Sequence, residues 1–190
     1  MTHDLTAEPH ELRPMEFFIL ALVARLELRS TYAFRVEAGL EPGGIRSALK
    51  RLVDAKLITR ADEARRRRRD IALTDHGVDV LGTSWRECLH EEGDAESILR
   101  AALVAWLMNG PDAAAGYLHR VAESRREKAE EMGYKSMHAE RSQKGFLSSY
   151  AWMRASLEAH RRKAESKAFL SMSRFIEEQF KNSERQEASS

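Results

Sequence analysis

Apolar positions recur at helical spacing over most of the chain, and Pro14, Pro42 and Pro111 stand where helices should begin, because proline is tolerated in a first turn but not in an interior. The pattern predicts a first helix over residues 15–26. There Phe17, Leu20, Ala21 and Ala24 share a stripe, and Phe18, Ile19, Leu22 and Val23 make the segment apolar nearly all round, as suits the centre of a small domain. After a polar break at 27–30, Ser30 can cap a short second helix over 31–38. Gly39-Leu40-Glu41-Pro42-Gly43-Gly44 reads as a turn. A third helix over 45–56 has Ile45, Leu49, Leu52 and Val53 on one face and Arg46, Ser47, Lys50, Arg51 and Asp54 on the other. Two short, partly β-branched runs, 57–59 and 70–73, flank a charged stretch and predict a two-stranded ribbon with a long tip. Thr74 is placed to cap a fourth helix along Val78, Leu81, Trp85, Cys88 and Leu89.

Beyond Gly93 the text becomes purely helical. Asp94 can cap a helix over 95–108 with Ile98, Leu99, Ala102, Ala105 and Trp106 inward, stopped by Asn109-Gly110-Pro111. The next, over 112–132, carries Ala114, Leu118, Val121, Arg125, Ala129 and Met132 on one stripe, with Gly133 as its terminator and a polar connector over 134–144. A last helix over 146–181 shows Phe146, Tyr150, Met153, Leu157, His160 and Ala164 at alternating steps of four and three, then Ala168, Met172, Ile176 and Phe180 at steps of four. Such near-heptad spacing predicts an interhelical seam. Phe146, Tyr150, Met153, Leu157, Met172, Ile176 and Phe180 are the candidate dimerisation residues, and an intramolecular helical hairpin is the alternative. The expected organisation is a flexible arm over 1–13, a first domain over 14–92, a helical domain over 93–181 and a flexible tail over 182–190. Three helices, a ribbon and a further helix is the order of a winged helix-turn-helix, so the expected fold is mainly α, a winged helix followed by a helical dimerisation domain.

Composition narrows the function classes. The chain has 190 residues, 43% apolar and 32% charged, enough for an ordinary core. Its longest apolar run, residues 17–24, is far short of the roughly 20 residues of a membrane span. The N-terminal text lacks a secretory pattern, and the single Cys88 excludes an intrachain disulfide; a cytoplasmic protein is expected. The net charge of +1 names no partner, but its distribution does. Residues 43–73 hold ten basic side chains against four acidic ones, a net +6 that leaves −5 elsewhere. That is the electrostatic footprint of a nucleic-acid reader. Arg65, Arg66, Arg67, Arg68 and Arg69, at the ribbon tip, would lie along phosphates or enter a narrow minor groove; a solvated charged loop is the other reading of that run. On the third helix Arg46 and Lys50 are placed to reach guanine, Lys50 also phosphate, and Ser47 to bond a phosphate, with Arg51 on the same face.

These residues resemble a known family. Ser30-Thr31-Tyr32-Ala33-Phe34, then Glu41-Pro42-Gly43-Gly44-Ile45 with Ala48-Leu49-Lys50-Arg51-Leu52, and Leu73-Thr74-Asp75-His76-Gly77 are similar to the second helix, the turn and recognition helix, and the wing end of PadR-type transcriptional regulators. The resemblance covers residues 14–89, and more loosely the helical remainder. It implies a dimeric winged-helix repressor whose C-terminal helices exchange contacts between subunits, with double-stranded DNA and a second copy as partners. Arg46-Ser47 stands where the family has Tyr-Pro and Asp70-Ile71 where it has Tyr-Tyr, so operator preference does not carry over. Tyr32 is either a phosphate donor or packed under the first helix.

Catalytic chemistry finds little support. There is no HExxH pair, GxSxG motif or phosphate-binding glycine loop, and neither an enzyme nor a cofactor is expected. Cys88 with His90, Glu91 and Glu92 could be drawn as a metal cluster, but Cys88 falls on the apolar stripe and reads as a buried thiol. Trp85, Trp106 and Trp152 read first as core, and at a dimer cleft would also suit a small aromatic effector. The rival from another class is a protein-interaction module using a degenerate winged helix and the helical tail.

Overall fold

The computed structural model describes the backbone of residues 12–62, 69–142 and 146–187 and the side chains of 12–60, 70–134 and 150–180. The described chain is mainly helical: α1 (Pro14–Leu26), α2 (Thr31–Glu37), α3 (Pro42–Asp54), β1 (Ile58–Asp62), β2 (Arg69–Leu73), α4 (Asp75–Ser84), a 3₁₀ turn (Trp85–Cys88), α5 (Ala95–Asn109), α6 (Pro111–Ser142) and α7 (Phe146–Glu187). It divides into two compact units, one of residues 1–90 with 99–108, the other of 91–98 with 109–190.

In the first unit α1, apolar from Phe17 to Ala24, is central. Phe17 to Val23 are each at most 6% exposed, and α1 packs against α3, α4, β2 and the 3₁₀ turn. Ala24, expected on its stripe, is exposed at the helix end. The main-chain oxygen of Arg29, in the connection after α1, accepts from the N–H of Ile71 at 2.9 Å, tying that connection to β2. Ser30 caps α2 as expected, its hydroxyl accepting from the Ala33 N–H at 3.1 Å. β1 and β2 pair antiparallel, from Ile58 opposite Leu73 to Asp62 opposite Arg69. Helix α3 begins at Pro42, three residues before the expected start, because a proline at the first helical position draws Gly43 and Gly44 into the first turn. The helix expected through Leu89 is α-helical only to Ser84. The tighter 3₁₀ turn superimposes positions three apart, which lets Trp85 and Cys88 both face the core while Val78 is left 56% exposed.

Leu73-Thr74-Asp75-His76-Gly77 forms a joint between the sheet and α4. The Thr74 hydroxyl accepts from the Gly77 N–H at 3.0 Å and donates to the Lys56 carbonyl at 2.7 Å, while the Thr74 N–H donates to the Leu57 carbonyl at 3.1 Å. Gly77 sits so close to that turn that a Cβ there would lie 2.0 Å from the Leu57 oxygen.

The second unit is built on an antiparallel hairpin of α6 and α7. Neither Gly133 nor the polar text after it ends α6, which runs to Ser142, and α7 runs past Lys181 to Glu187. A mid-helix glycine costs about 1 kcal/mol, and packing along a partner helix outweighs that. No glycine or proline occurs after position 146 to stop α7. The α7 seam is Trp152, Ala155, Ala159, Arg162, Ser166, Phe169, Ser173, Ile176 and Phe180, alternating three and four apart, each buried or half-buried. Ala115, Ala122 and Ala129 on α6 and Ala159, Ser166 and Ser173 on α7 repeat every seven residues, and such small side chains let two helices approach closely. The Ser173 hydroxyl donates to the Ala115 carbonyl at 2.9 Å. The Arg125 Nε lies 3.6 Å from Glu165, and the same guanidinium donates to the Gly93 carbonyl at 2.5 Å.

This seam is not the stripe expected for dimerisation. Tyr150, Met153 and Leu157 lie outside it, 56%, 51% and 72% exposed, and Met172 is 40% exposed. Ile176 and Phe180 belong to the intramolecular seam. Steps of four overshoot a helical turn by about 40° each, so a stripe continued by fours from Ala164 wanders round the helix until it meets the α6 side. The Phe146 side chain lies outside the described residues, as do residues 1–11 of the arm expected over 1–13 and residues 188–190 of the tail.

Candidate nucleic-acid interface

Helix α3 is amphipathic as its sequence suggests, except that Val53, expected on the buried face, is 38% exposed. Ile45, Ala48, Leu49 and Leu52 are at most 1% exposed, whereas Arg46, Ser47 and Lys50 face solvent. The Arg46 Nε donates to the Pro42 carbonyl at 3.3 Å, which lays its stem along the first turn. Between α2, the start of α3 and β1 lies an open concavity of about 680 Å³, whose polar lining includes Tyr32, Arg35, Arg46, Lys50 and Arg60. Among the described residues, no carboxylate lines it. Tyr32 is 66% exposed, with the Arg35 guanidinium 5.6 Å from its ring centre, so it is not packed under α1. Arg35 and Arg60 are additions to the expected set. Arg60 had a signal, its place two residues after the core residue Ile58 on the same strand face; Arg35 lies on α2, outside the basic segment.

Arg51 has a different occupation. Its guanidinium pairs with Glu16, the Nε donating to a carboxylate oxygen at 2.5 Å, and the other Glu16 oxygen accepts from the Arg13 N–H at 2.5 Å. Glu16 is 1% exposed, so Arg51 neutralises a buried charge at the start of α1. A buried carboxylate persists only with such compensation. The expected tip residues Arg65, Arg66, Arg67 and Arg68 lie outside the described residues; Arg69 begins β2, its side chain likewise outside them.

The remaining chemistry is structural. Cys88 is 1% exposed, its thiol donates to the Trp85 carbonyl at 3.0 Å, and burial pushes its pKa up to about 12, far from a reactive thiolate. No group of three His, Cys, Asp or Glu among the described residues is arranged to hold a metal. Trp85 is 5% exposed with the Arg86 guanidinium 4.6 Å from its ring centre, which leaves little of it for an effector; Trp106 and Trp152 are half-buried. In the second unit Lys128 pairs with the exposed Glu92 and holds its carboxyl below the usual range. No described helix is long and apolar enough to cross a membrane. The chain matches no family model, no curated protein and no solved structure.

Proposed function

We propose that the chain is a sequence-specific DNA-binding transcriptional regulator of the PadR type, a dimeric repressor reading a pseudo-palindromic operator through a winged helix-turn-helix. The observation that carries this reading is the basic concavity beside α3, lined by no carboxylate among the described residues, where Arg46 and Lys50 stand on the exposed side of a helix that buries Ile45, Leu49 and Leu52 on its other side. Within it α2 and α3 are the helix-turn-helix, α3 is the recognition helix, and the β1–β2 ribbon is the wing. Base contacts fall to Arg46 and Lys50, and phosphate contacts to Ser47, Tyr32 and the tip arginines. Arg51 is left out of the contact set because Glu16 holds it.

The test begins with operator fragments selected from genomic DNA. Arg46→Ala or Lys50→Ala should cost about 1 to 3 kcal/mol on the selected operator and relax its specificity. Replacing Arg65 through Arg69 by alanine should weaken binding to every duplex and flatten the dependence of log affinity on log salt, by about 0.9 for each phosphate relinquished. A five-alanine protein that keeps its affinity and its salt slope removes the wing from the reading. Absence of salt-dependent duplex binding by the unaltered chain would favour a protein-interaction module.

The second copy is assigned to the free side of α7. Tyr150, Ala151 and Leu157 line, with Met132 of α6, an apolar groove of about 890 Å³. Large exposed apolar patches mark interaction sites, and a two-fold pair would set two recognition helices roughly 34 to 36 Å apart, one turn of duplex. Deleting α7 would uncover the seam of α6, so a point substitution is the cleaner experiment. Leu157→Glu should leave helicity unchanged, halve the molecular mass in solution and sharply lower operator affinity. A variant that remains dimeric places the interface elsewhere.

A further inference from the structure

Side chains alternate across a strand, so Arg60 shares a face of β1 with Ile58, which is 2% exposed, and its partner across the ladder is Ile71, at 0%. The Arg60 stem therefore continues the core face and carries its guanidinium to the mouth between α2 and α3, as long basic side chains do when an apolar stem runs along the core. Its Nε is buried there with no hydrogen-bond partner among the described residues. Arg35, Arg46 and Lys50 converge on the same concavity. Four like charges with no lining carboxylate among the described residues repel one another, and a buried N–H without an acceptor carries a desolvation cost. One anion bound in the concavity relieves both.

We propose that Arg60 is a phosphate clamp, taking one phosphate of the DNA backbone in the concavity bounded by α2, α3 and β1. The assignment rests on the DNA-binding reading above. A planar guanidinium matches the paired oxygens of a phosphodiester, and a contact of this kind positions the duplex without reading its sequence. Arg60 thereby fixes how the strand lies over α2, and so which base edges come within reach of Arg46 and Lys50.

The experiment uses the full chain with two duplexes, one of arbitrary sequence and one carrying the selected operator. Arg60→Gln should weaken both by the same factor and reduce the salt slope by about 0.9, the value of one phosphate, while Arg60→Lys keeps the slope. Circular dichroism reports whether each variant folds; should Arg60→Gln fail to fold, Arg60→Met, which keeps the apolar stem, gives the same comparison. A folded neutral variant with wild-type affinity and slope overturns the clamp while the DNA-binding reading stands. Loss on the operator alone overturns it too, because it would make Arg60 a base reader. Inorganic phosphate at matched ionic strength should compete with the duplex no better than chloride; stronger competition would give the site to a free anion. Salt-independent or absent duplex binding by the unaltered protein fails the functional reading, and the clamp with it.

Discussion

Arg51→Met should lower the stability of the first unit by about 3 kcal/mol, the low end of what breaking a buried ion pair costs. The loss is asymmetric. Arg51 is 43% exposed at its side chain and can be hydrated when alone, but Glu16 is 2% exposed and would be left with a single main-chain N–H, that of Arg13. Glu16→Gln should therefore cost less than Arg51→Met, since it discharges the buried partner and returns the arginine to water. Arg46→Met, on the same helix but bonded only to the Pro42 carbonyl at 3.3 Å, should stay within about 0.5 kcal/mol. Urea unfolding of the three variants gives the comparison. Equal, small effects for Arg51 and Arg46 would mean that the carboxylate does not depend on the pair, and would return Arg51 to the set of surface cations.

Gly77→Ala should be comparably damaging, about 3 kcal/mol, through overpacking. The new methyl would stand 2.0 Å from the Leu57 oxygen, which is main chain and cannot swing aside, and which already accepts the N–H of Thr74. Relief requires α4 to move off the α3–β1 turn, breaking the Thr74 bridge to Lys56. Gly82→Ala in the same helix meets nothing within 4 Å and should stabilise by roughly 0.5 to 1 kcal/mol, the ordinary helix preference of alanine. Opposite signs from two glycines five residues apart would locate the joint; a neutral Gly77→Ala would mean that α4 is not held there.

What could be read in advance follows from how local each signal is. The largely apolar α1, the Ser30 and Thr74 caps and the two-stranded ribbon depend on near neighbours in the chain, and all are present. Arg51 reads as a DNA-facing cation in the sequence because its partner lies thirty-five residues earlier, and nothing in the charge pattern of α3 distinguishes it from Lys50. Helix α7 posed the converse difficulty. It carries two stripes of heptad-like spacing, and the larger residues drew attention to the exposed one, while α6 packs along alanines and serines. Gly77 was legible as a motif, but the cause of its smallness, a carbonyl twenty residues away, is a tertiary fact.

The seven-residue repeat of small side chains makes the hairpin a vernier with two nearly matching settings. Slide α7 by one heptad and Ser166 arrives where Ser173 now meets the Ala115 carbonyl, while Glu158 arrives where Glu165 now meets Arg125. Both polar contacts would be remade, and Ser166 and Ala159 would oppose Ala115 and Ala122, but Trp152 would arrive where Ala159 now lies. A second mismatch falls on Phe169, 2% exposed and the one large apolar side chain of α7 that is fully buried among the described residues, because Arg162 would be driven into its place. The two aromatic side chains, rather than the polar contacts along the seam, choose between the two alignments.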